Sequence, residues 1–524
     1  MNSKSITEPV PLSQCIQLSL LLLLLVLLLV VVVVLALLNS IYIFIYIYFT
    51  LSPPTLLSRL PNKTLLLAAS SACIGGTFQY GYNISIINSP TYVQNFINQT
   101  WAERYQTNIS EDLLTLLWST IVSMLTLGGF MGATIGGTLS MKLGRKGTLL
   151  TNNIFALVAA LLMGLSYHTG LYELLIIGRF LIGITAGIAI CVQPLYLGEI
   201  APTAFRGTMG MGTSVFITGG ILTGQVIELL GREEYWPILL STTCIPALLQ
   251  LLTLPWFPES PRYLLIDKGD NQGSLKQLHG VADWDRELEE IQKEKNNLTG
   301  FQAKKPWELF TDRSFHWQIV TVMLLNMSQQ LNGINAIYFY ADYVFKQSGI
   351  PEDKIPYVTV GTGACECITA LTCVSMSFIK FMYLFYAFSY NSMFMLTFIP
   401  YLSMVCIFAF ILSFGLGPGG VTNILTTELF TQTARPAAYM VAGWVNWLSF
   451  LFISLVFPFI VIGLQQYCFL VFLVICFSVV VYIFLVVPET KNKTFVEIQN
   501  AFKSNNSKDH TADSGRTTLL TTSI

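Results

Sequence analysis

Apolar runs of close to 20 residues recur from Thr64 to Val487, each closed by a short polar stretch. A helix rises about 1.5 Å per residue, so such a run matches the roughly 30 Å hydrocarbon thickness of a bilayer. The pattern predicts spans over 64–87, 113–137, 149–168, 171–196, 207–230 and 236–256. A polar segment over 257–316, rich in Lys, Glu, Asp and Gln, interrupts them and belongs in water as short helices. A second set follows over 317–342, 357–378, 381–398, 400–426, 437–460 and 465–487. The expected fold class is an all-α polytopic membrane protein. Its two six-helix bundles occupy 61–256 and 317–490, joined by the helical loop at 257–316 and followed by a tail at 491–524. Transporters of this layout hold their substrate between the halves, near the bilayer midplane.

Charge placement orients the chain, because Lys and Arg are retained on the cytoplasmic side. Lys142, Arg145 and Lys146 separate spans two and three, and Arg206 opens span five. The loop after span one instead carries Glu103, Glu111 and Asp112. It also holds two glycosylation sequons, at Asn98 and Asn108, so it is expected outside and glycosylated. The sequons at Asn297 and Asn492 fall on the cytoplasmic side and are read as chance. Both ends of the twelve-span body, and the central loop, are then cytoplasmic.

Residues 1–60 form an extension in which 18–38 are almost entirely Leu and Val. This run is longer than the apolar core of a signal peptide. Two readings stand: an added span starting outside, or a low-complexity or misread extension with no role in transport. The polar, Ser- and Thr-rich stretch from Ser504 to Ile524 has the composition of a disordered tail.

Composition narrows the function. The 524 residues are 53% hydrophobic and 11% charged, where a soluble domain carries about 25% charged residues. A net charge of −1 gives no reason to expect nucleic acid. The ten cysteines are scattered, and Cys365 and Cys367 are read as packing residues on different faces of one helix. Four histidines in no ligand pattern imply no metal, and no cofactor is implied. No nucleophile, base and orienting group come together, so an enzyme is not expected. The partners implied are a small molecule and the lipid bilayer; no oligomer is implied.

Polar motifs mark the span boundaries. They are Gly144-Arg145-Lys146-Gly147, Pro194 to Pro202 with Glu199 and running on to Arg206-Gly207, Pro258-Glu259-Ser260-Pro261-Arg262, Glu428 to Arg435, and Pro488-Glu489-Thr490. Each sets a carboxylate or a guanidinium at a helix end, where bidentate pairs can form and break as two halves rock. Arg145, Glu199, Arg206, Glu259, Arg262, Glu428, Arg435 and Glu489 are therefore the candidate gating charges.

Inside the spans, amides stand out: Gln329, Gln330 and Asn335 in span seven, and Asn446 beside Trp447 in span eleven. Amides satisfy hydroxyls as donor and acceptor without a fixed charge, and an aromatic covers an apolar ring face, which suits a sugar. Spacings of i, i+1 and i+6 do not share one helix face, so at least one amide can serve only to tie helices.

These boundary motifs, with Gln329-Gln330-Leu331-Asn332-Gly333-Ile334-Asn335 and Pro488-Glu489-Thr490-Lys491-Asn492-Lys493-Thr494-Phe495, resemble the facilitative hexose transporters over about residues 60–500. Phe78-Gln79-Tyr80-Gly81-Tyr82-Asn83 is similar to the fructose-type branch, and the run from Cys406 to Gly415, with Thr427-Glu428-Leu429-Phe430 and Ala434-Arg435-Pro436-Ala437-Ala438, is most similar to a single member of the family. The resemblance implies a major facilitator fold in the plasma membrane and a hexose, fructose or glucose, as substrate. By it, Gln329, Gln330, Asn335 and Asn446 match sugar-contacting positions, and Tyr80 matches an aromatic of the fructose-type site.

The departures from that family carry information. A family Gln in span five is Ser214 here, and the Trp closing glucose-type pockets falls at Asn423. An acidic family position falls at Gly415, and a polar one at Phe450. Together they imply a wider pocket and a looser hexose range. Glu366 stands where most members have Asn, as a sugar-hydroxyl acceptor, a protonatable group or a buried packing residue. Proton-driven relatives carry Asp where this chain has Asn83, paired to an Arg matching Arg179, so uniport is expected unless Glu366 couples protons. The family's second Gly-Arg-Arg loop is missing around Phe378-Ile379-Lys380, and the segment from Gly361 to Phe410 is short for its spans. That leaves a non-transporting paralogue or sensor as a further alternative.

Overall fold

The computed structural model describes residues 63–86, 90–201, 206–230, 236–264, 305–312, 315–335, 345–346, 350–351, 353–373, 407–412, 414, 422, 425–426, 429–430, 434–464 and 468–488. The extension at 1–60, the segment 381–398 and the tail lie outside them. The described elements are helical. In the first half they are α1 (Lys63–Cys73), α2 (Gln79–Ser85), α3 (Pro90–Tyr105), α4 (Glu111–Leu143), α5 (Arg145–Thr169), α6 (Tyr172–Ile200), α7 (Arg206–Leu230), α8 (Trp236–Ser241) and α9 (Cys244–Thr253). In the second half they are α10 (Pro306–Thr311), α11 (His316–Leu331), α12 (Ile355–Cys373), α13 (Arg435–Leu464) and α14 (Cys468–Val486).

Among the described residues five helices are long and apolar enough to cross a bilayer. One is α4, whose 33 residues extend about 50 Å, longer than the roughly 30 Å hydrocarbon is thick. The span predicted over 113–137 therefore continues to Leu143, and what separates it from the next helix is Gly144 alone. The loop expected after span one is half helical: α3 occupies it, with Arg104 pairing bidentately to Glu173 (2.5 and 3.2 Å). That hydrogen bond holds the Arg104 pKa above its ordinary value. Arg104 also donates to the Gly170 carbonyl at 2.7 Å, so α3 is clamped to the turn before α6.

Small residues let the first-half helices pack closely. Gly128 of α4 and Gly183 of α6 face one another, and a Cβ on either would sit inside 3 Å of the other's backbone. Such contact replaces the hydrophobic drive that lipid removes. Between α1 and α2 the chain makes a π-helical turn over Ile74–Phe78. Gln193 of α6 enters that turn, its Oε1 accepting from the Thr77 amide at 2.7 Å. The side chain supplies the partner that the widened turn takes from the backbone, and the turn sets the register of Tyr80.

The two halves meet along two helix pairs, α4 against α13 and α7 against α12. On the first, Trp444 Nε1 donates to Thr134 Oγ1 at 2.9 Å, and the Ser123 and Ser454 hydroxyls lie 3.3 Å apart. On the second, Gln225 reaches Thr362 at 3.5 Å.

Candidate functional site

Between these pairs lies a cavity of about 100 Å³, partly open to its surroundings. Its polar wall is Tyr80, Ser214, Gln329, Gln330, Asn335 and Glu366. Six of the nine residues predicted from sequence as substrate contacts are thus brought together, from α2, α7, α12 and the region of α11.

Span seven solves its facing problem by breaking. α11 ends at Leu331, and Gly333 takes φ +92°, a left-handed conformation that glycine adopts without cost. The Phe472 ring packs where a Cβ on Gly333 would stand. Asn332 Oδ1 accepts from the Ile334 amide at 2.9 Å and stabilises the break. Asn335 is thereby returned to Gln330, donating from Nδ2 to its Oε1. Non-helical backbone at membrane depth is tolerated where it lines a cavity, which is where this break falls.

Gln330 Nε2 in turn donates to Asn446 Oδ1 at 3.0 Å, and Asn446 Nδ2 to Gln329 Oε1 at 3.4 Å. Asn446 is not part of the cavity lining; it bonds both glutamines, while all three span-seven amides, one of which the spacing had left as a tie between helices, line the cavity. Trp447 is likewise not in the lining. It is wholly buried, edge-on to Tyr80 with ring centroids 5.6 Å apart, and stacked on Phe450 at 6.0 Å. The room for its indole comes from Gly129 of α4, where a Cβ would overlap the ring. Trp447 therefore positions Tyr80 rather than facing the cavity. Asn423 lies outside the described residues.

Sequence reading missed the rest of the wall. Ile84, Ile217, Ile221, Ile334, Ala370 and Phe414 supply its apolar lining. Thr218 adds a hydroxyl one turn from Ser214, a spacing that could have found it. The isoleucines carry no such signal, because a lining residue and a lipid-facing one look alike in an apolar run.

A second cluster lies at the end that the charge bias assigns to the cytoplasm. Gly144 takes φ +83°, and Glu259 and Tyr263 crowd the place of its missing Cβ. Arg145 Nη2 pairs with Glu199 Oε1 at 2.8 Å, its guanidinium 5.0 Å from the Tyr263 ring centroid. Glu199 also accepts from the Ser260 hydroxyl. Glu259 caps α5, accepting from the amides of Lys146 (2.9 Å) and Gly147 (3.3 Å), where the helix dipole favours an anion. Lys146 Nζ donates to the carbonyls of Pro255 and Phe257 at 2.9 and 2.7 Å. These contacts of Arg145, Glu199 and Glu259 all run within the first half and the segment that follows it. Glu428, Glu489 and the side chains of Arg206 and Arg435 lie outside the described residues.

Deeper in the first half, Arg179 donates from Nη1 to the main-chain oxygen of Asn83 at 2.8 Å. The Asn83 amide gives its hydrogens to the Gln79 carbonyl and to Thr243 Oγ1, at 2.8 and 2.6 Å. The group beside the buried guanidinium is thus a neutral amide. Cys365 and Cys367 are free thiols, the second buried and the first half-buried. Asn98 is exposed on α3, and Asn108 is exposed in the irregular link before α4.

Helices arranged as two bundles around a central cavity define a transporter of the major facilitator fold. The solved proton:xylose symporter XylE bound to 6-bromo-6-deoxy-D-glucose superposes with a TM-score of 0.70, covering 84% of this chain and 99% of its own at 21% identity. Residues 68–502 match the family described as Sugar (and other) transporter, and the chain belongs to that family. It is 46% identical to sheep solute carrier family 2, facilitated glucose transporter member 5, over 84% of this chain and 92% of the relative. It is 44% identical to human member 11 of that carrier family, over 84% and 93%.

Proposed function

We propose that the chain is a facilitator that carries hexose, fructose or glucose, down its gradient across the plasma membrane by alternating access. The observation that carries this reading is the amide set Gln329, Gln330 and Asn335 in the cavity lining, linked through Asn446 behind it and sharing that lining with isoleucines and Phe414. Neutral amides match sugar hydroxyls as donors and acceptors, and the apolar lining suits the ring face. Tyr80, Ser214, Gln329, Gln330, Asn335 and Glu366 would touch the sugar, with Asn446 and Trp447 holding them and Asn423 completing the site. The relatives named as facilitated glucose transporters support the substrate class and the absence of an energy source.

Uniport is supported further by the amide beside Arg179, since Asn83 cannot bind and release a proton. The same reading places the bundles at 61–256 and 317–490, with both ends of the body cytoplasmic. Arg206, Arg262, Glu428, Arg435 and Glu489 would hold that side closed, against a first-half end that Arg145, Glu199 and Glu259 keep as one body. Asn108, exposed in an irregular link, is the better acceptor for glycan, with Asn98 second.

The test is uptake of labelled fructose and glucose into liposomes holding the purified protein. Saturable uptake that Gln330→Ala abolishes supports the function and the site together. Wild-type protein that moves neither sugar contradicts the proposal.

A further inference from the structure

The π-helical turn over Ile74–Phe78 is held by side chains from two other helices. Gln193 of α6 is wholly buried and accepts from the Thr77 amide. Its own amide donates to Thr77 Oγ1 at 2.9 Å and to Cys73 Sγ at 3.0 Å. Gln250 of α9 donates to the carbonyls of Ser71 and Ala72 at 3.1 and 2.8 Å, where α1 ends. Gly75 and Gly76 leave the room that these two side chains occupy. A π turn carries one residue more than an α turn, and one residue advances the helix face by about 100°. That extra residue decides which face of α2 meets the cavity, and the face that meets it carries Tyr80.

We propose that Gln193 is a positioning residue for the sugar site: it keeps the extra residue in span one, and so holds Tyr80 in the cavity wall without touching the sugar. The effect on transport rests on the hexose reading; the placement of Tyr80 does not. Without Gln193 the Thr77 amide stands unpaired in a buried, water-free setting, and the chain recovers the bond by rewinding toward α pairing. The ends on either side cannot follow. α1 is anchored by Gln250 and by the Ser71–Thr253 hydroxyl bond at 2.7 Å. α2 is anchored beyond Tyr80, where Tyr82 bonds Thr242 and Asn83 bonds Thr243. The residues between the anchors absorb the lost phase, and Tyr80 is the one among them with open space beside it.

Two readouts on the purified protein in liposomes test this. One is KM for labelled fructose and glucose. The other is the rate at which a water-soluble methanethiosulfonate modifies Tyr80→Cys above the background of the native cysteines. Gln193→Leu is expected to raise KM about tenfold with kcat less affected, and to slow modification at position 80 by a similar factor. Modification of Ser214→Cys, in the same lining but on α7, should not change. In a Tyr80→Ala background Gln193→Leu should add nothing to KM, because the residue it acts through is gone. Gly76→Ala perturbs the turn more gently: its Cβ would overlap Gln193 Oε1 and otherwise meet only ordinary contact with Ala189, so it should act in the same direction. A lower melting temperature with KM and both modification rates unchanged overturns the inference, leaving Gln193 a packing residue. An equal rise of KM in the Tyr80→Ala background also overturns it, by placing the effect elsewhere. Slowed modification at position 80, in a protein whose wild type moves no hexose, upholds the positioning of Tyr80 and sinks the hexose reading.

Discussion

Gln330 is bonded on both sides, accepting from Asn335 and donating to Asn446, and its side chain also faces the cavity. Gln330→Ala therefore removes a proposed sugar contact and releases two neighbours, and hexose uptake should be lost while the protein remains in the membrane. Asn446→Ala removes only support. Interhelical amide bonds in membranes are worth about 0.6–2 kcal/mol, so KM should rise about 3- to 30-fold with kcat less affected. Steady-state uptake kinetics of the two variants separate contact from support. The amides were legible in the sequence because a polar side chain in an apolar run must find a partner. Which of them faces substrate was not legible, since that depends on a helix break and on what stands behind. Trp447 shows the same limit: its identity suggests a ring-stacking contact, yet Gly129, more than 300 positions away in sequence, gives it a berth behind Tyr80.

At the scale of the element, two glycines decide where helices stop. Gly144 turns the chain between α4 and α5, and its missing Cβ admits the Glu259 carboxylate onto the α5 amides. Gly144→Ala meets the left-handed penalty of about 1–2 kcal/mol and a collision with Glu259 as well. Its melting temperature in detergent should fall below that of Gly147→Ala, whose Cβ meets only ordinary contact. Gly333→Ala combines the same strain with an overlap on Phe472, and should cost substrate affinity as well as stability because Asn335 is carried by that break. Span lengths were legible because bilayer thickness fixes them. The α3 helix was not, since it has no apolar run of spanning length and is defined by its clamp to Glu173 and Gly170. Nor was the extension of α4 to Leu143, because polar residues beyond the hydrocarbon do not end a helix.

For the molecule as a whole, the α4–α13 and α7–α12 pairs are the surfaces over which two rocking halves must slide. A cysteine pair at Ser123 and Ser454, whose hydroxyls are 3.3 Å apart, should cross-link under oxidation and stop uptake. Reduction should restore uptake, and neither single cysteine should respond. The charges of Arg145, Glu199 and Glu259 hold α5, α6 and the segment after α9 as one body, so their neutral variants should loosen that body and lower its melting temperature. The central claim is passive carriage of a hexose through the amide-lined cavity. Its most direct test is the rate of labelled fructose and glucose uptake into protein-containing liposomes, with and without an inward proton gradient. The account predicts saturable uptake that is the same under both conditions and stops when internal and external concentrations are equal. Uptake that needs the gradient, or that accumulates sugar above the external concentration, would contradict it.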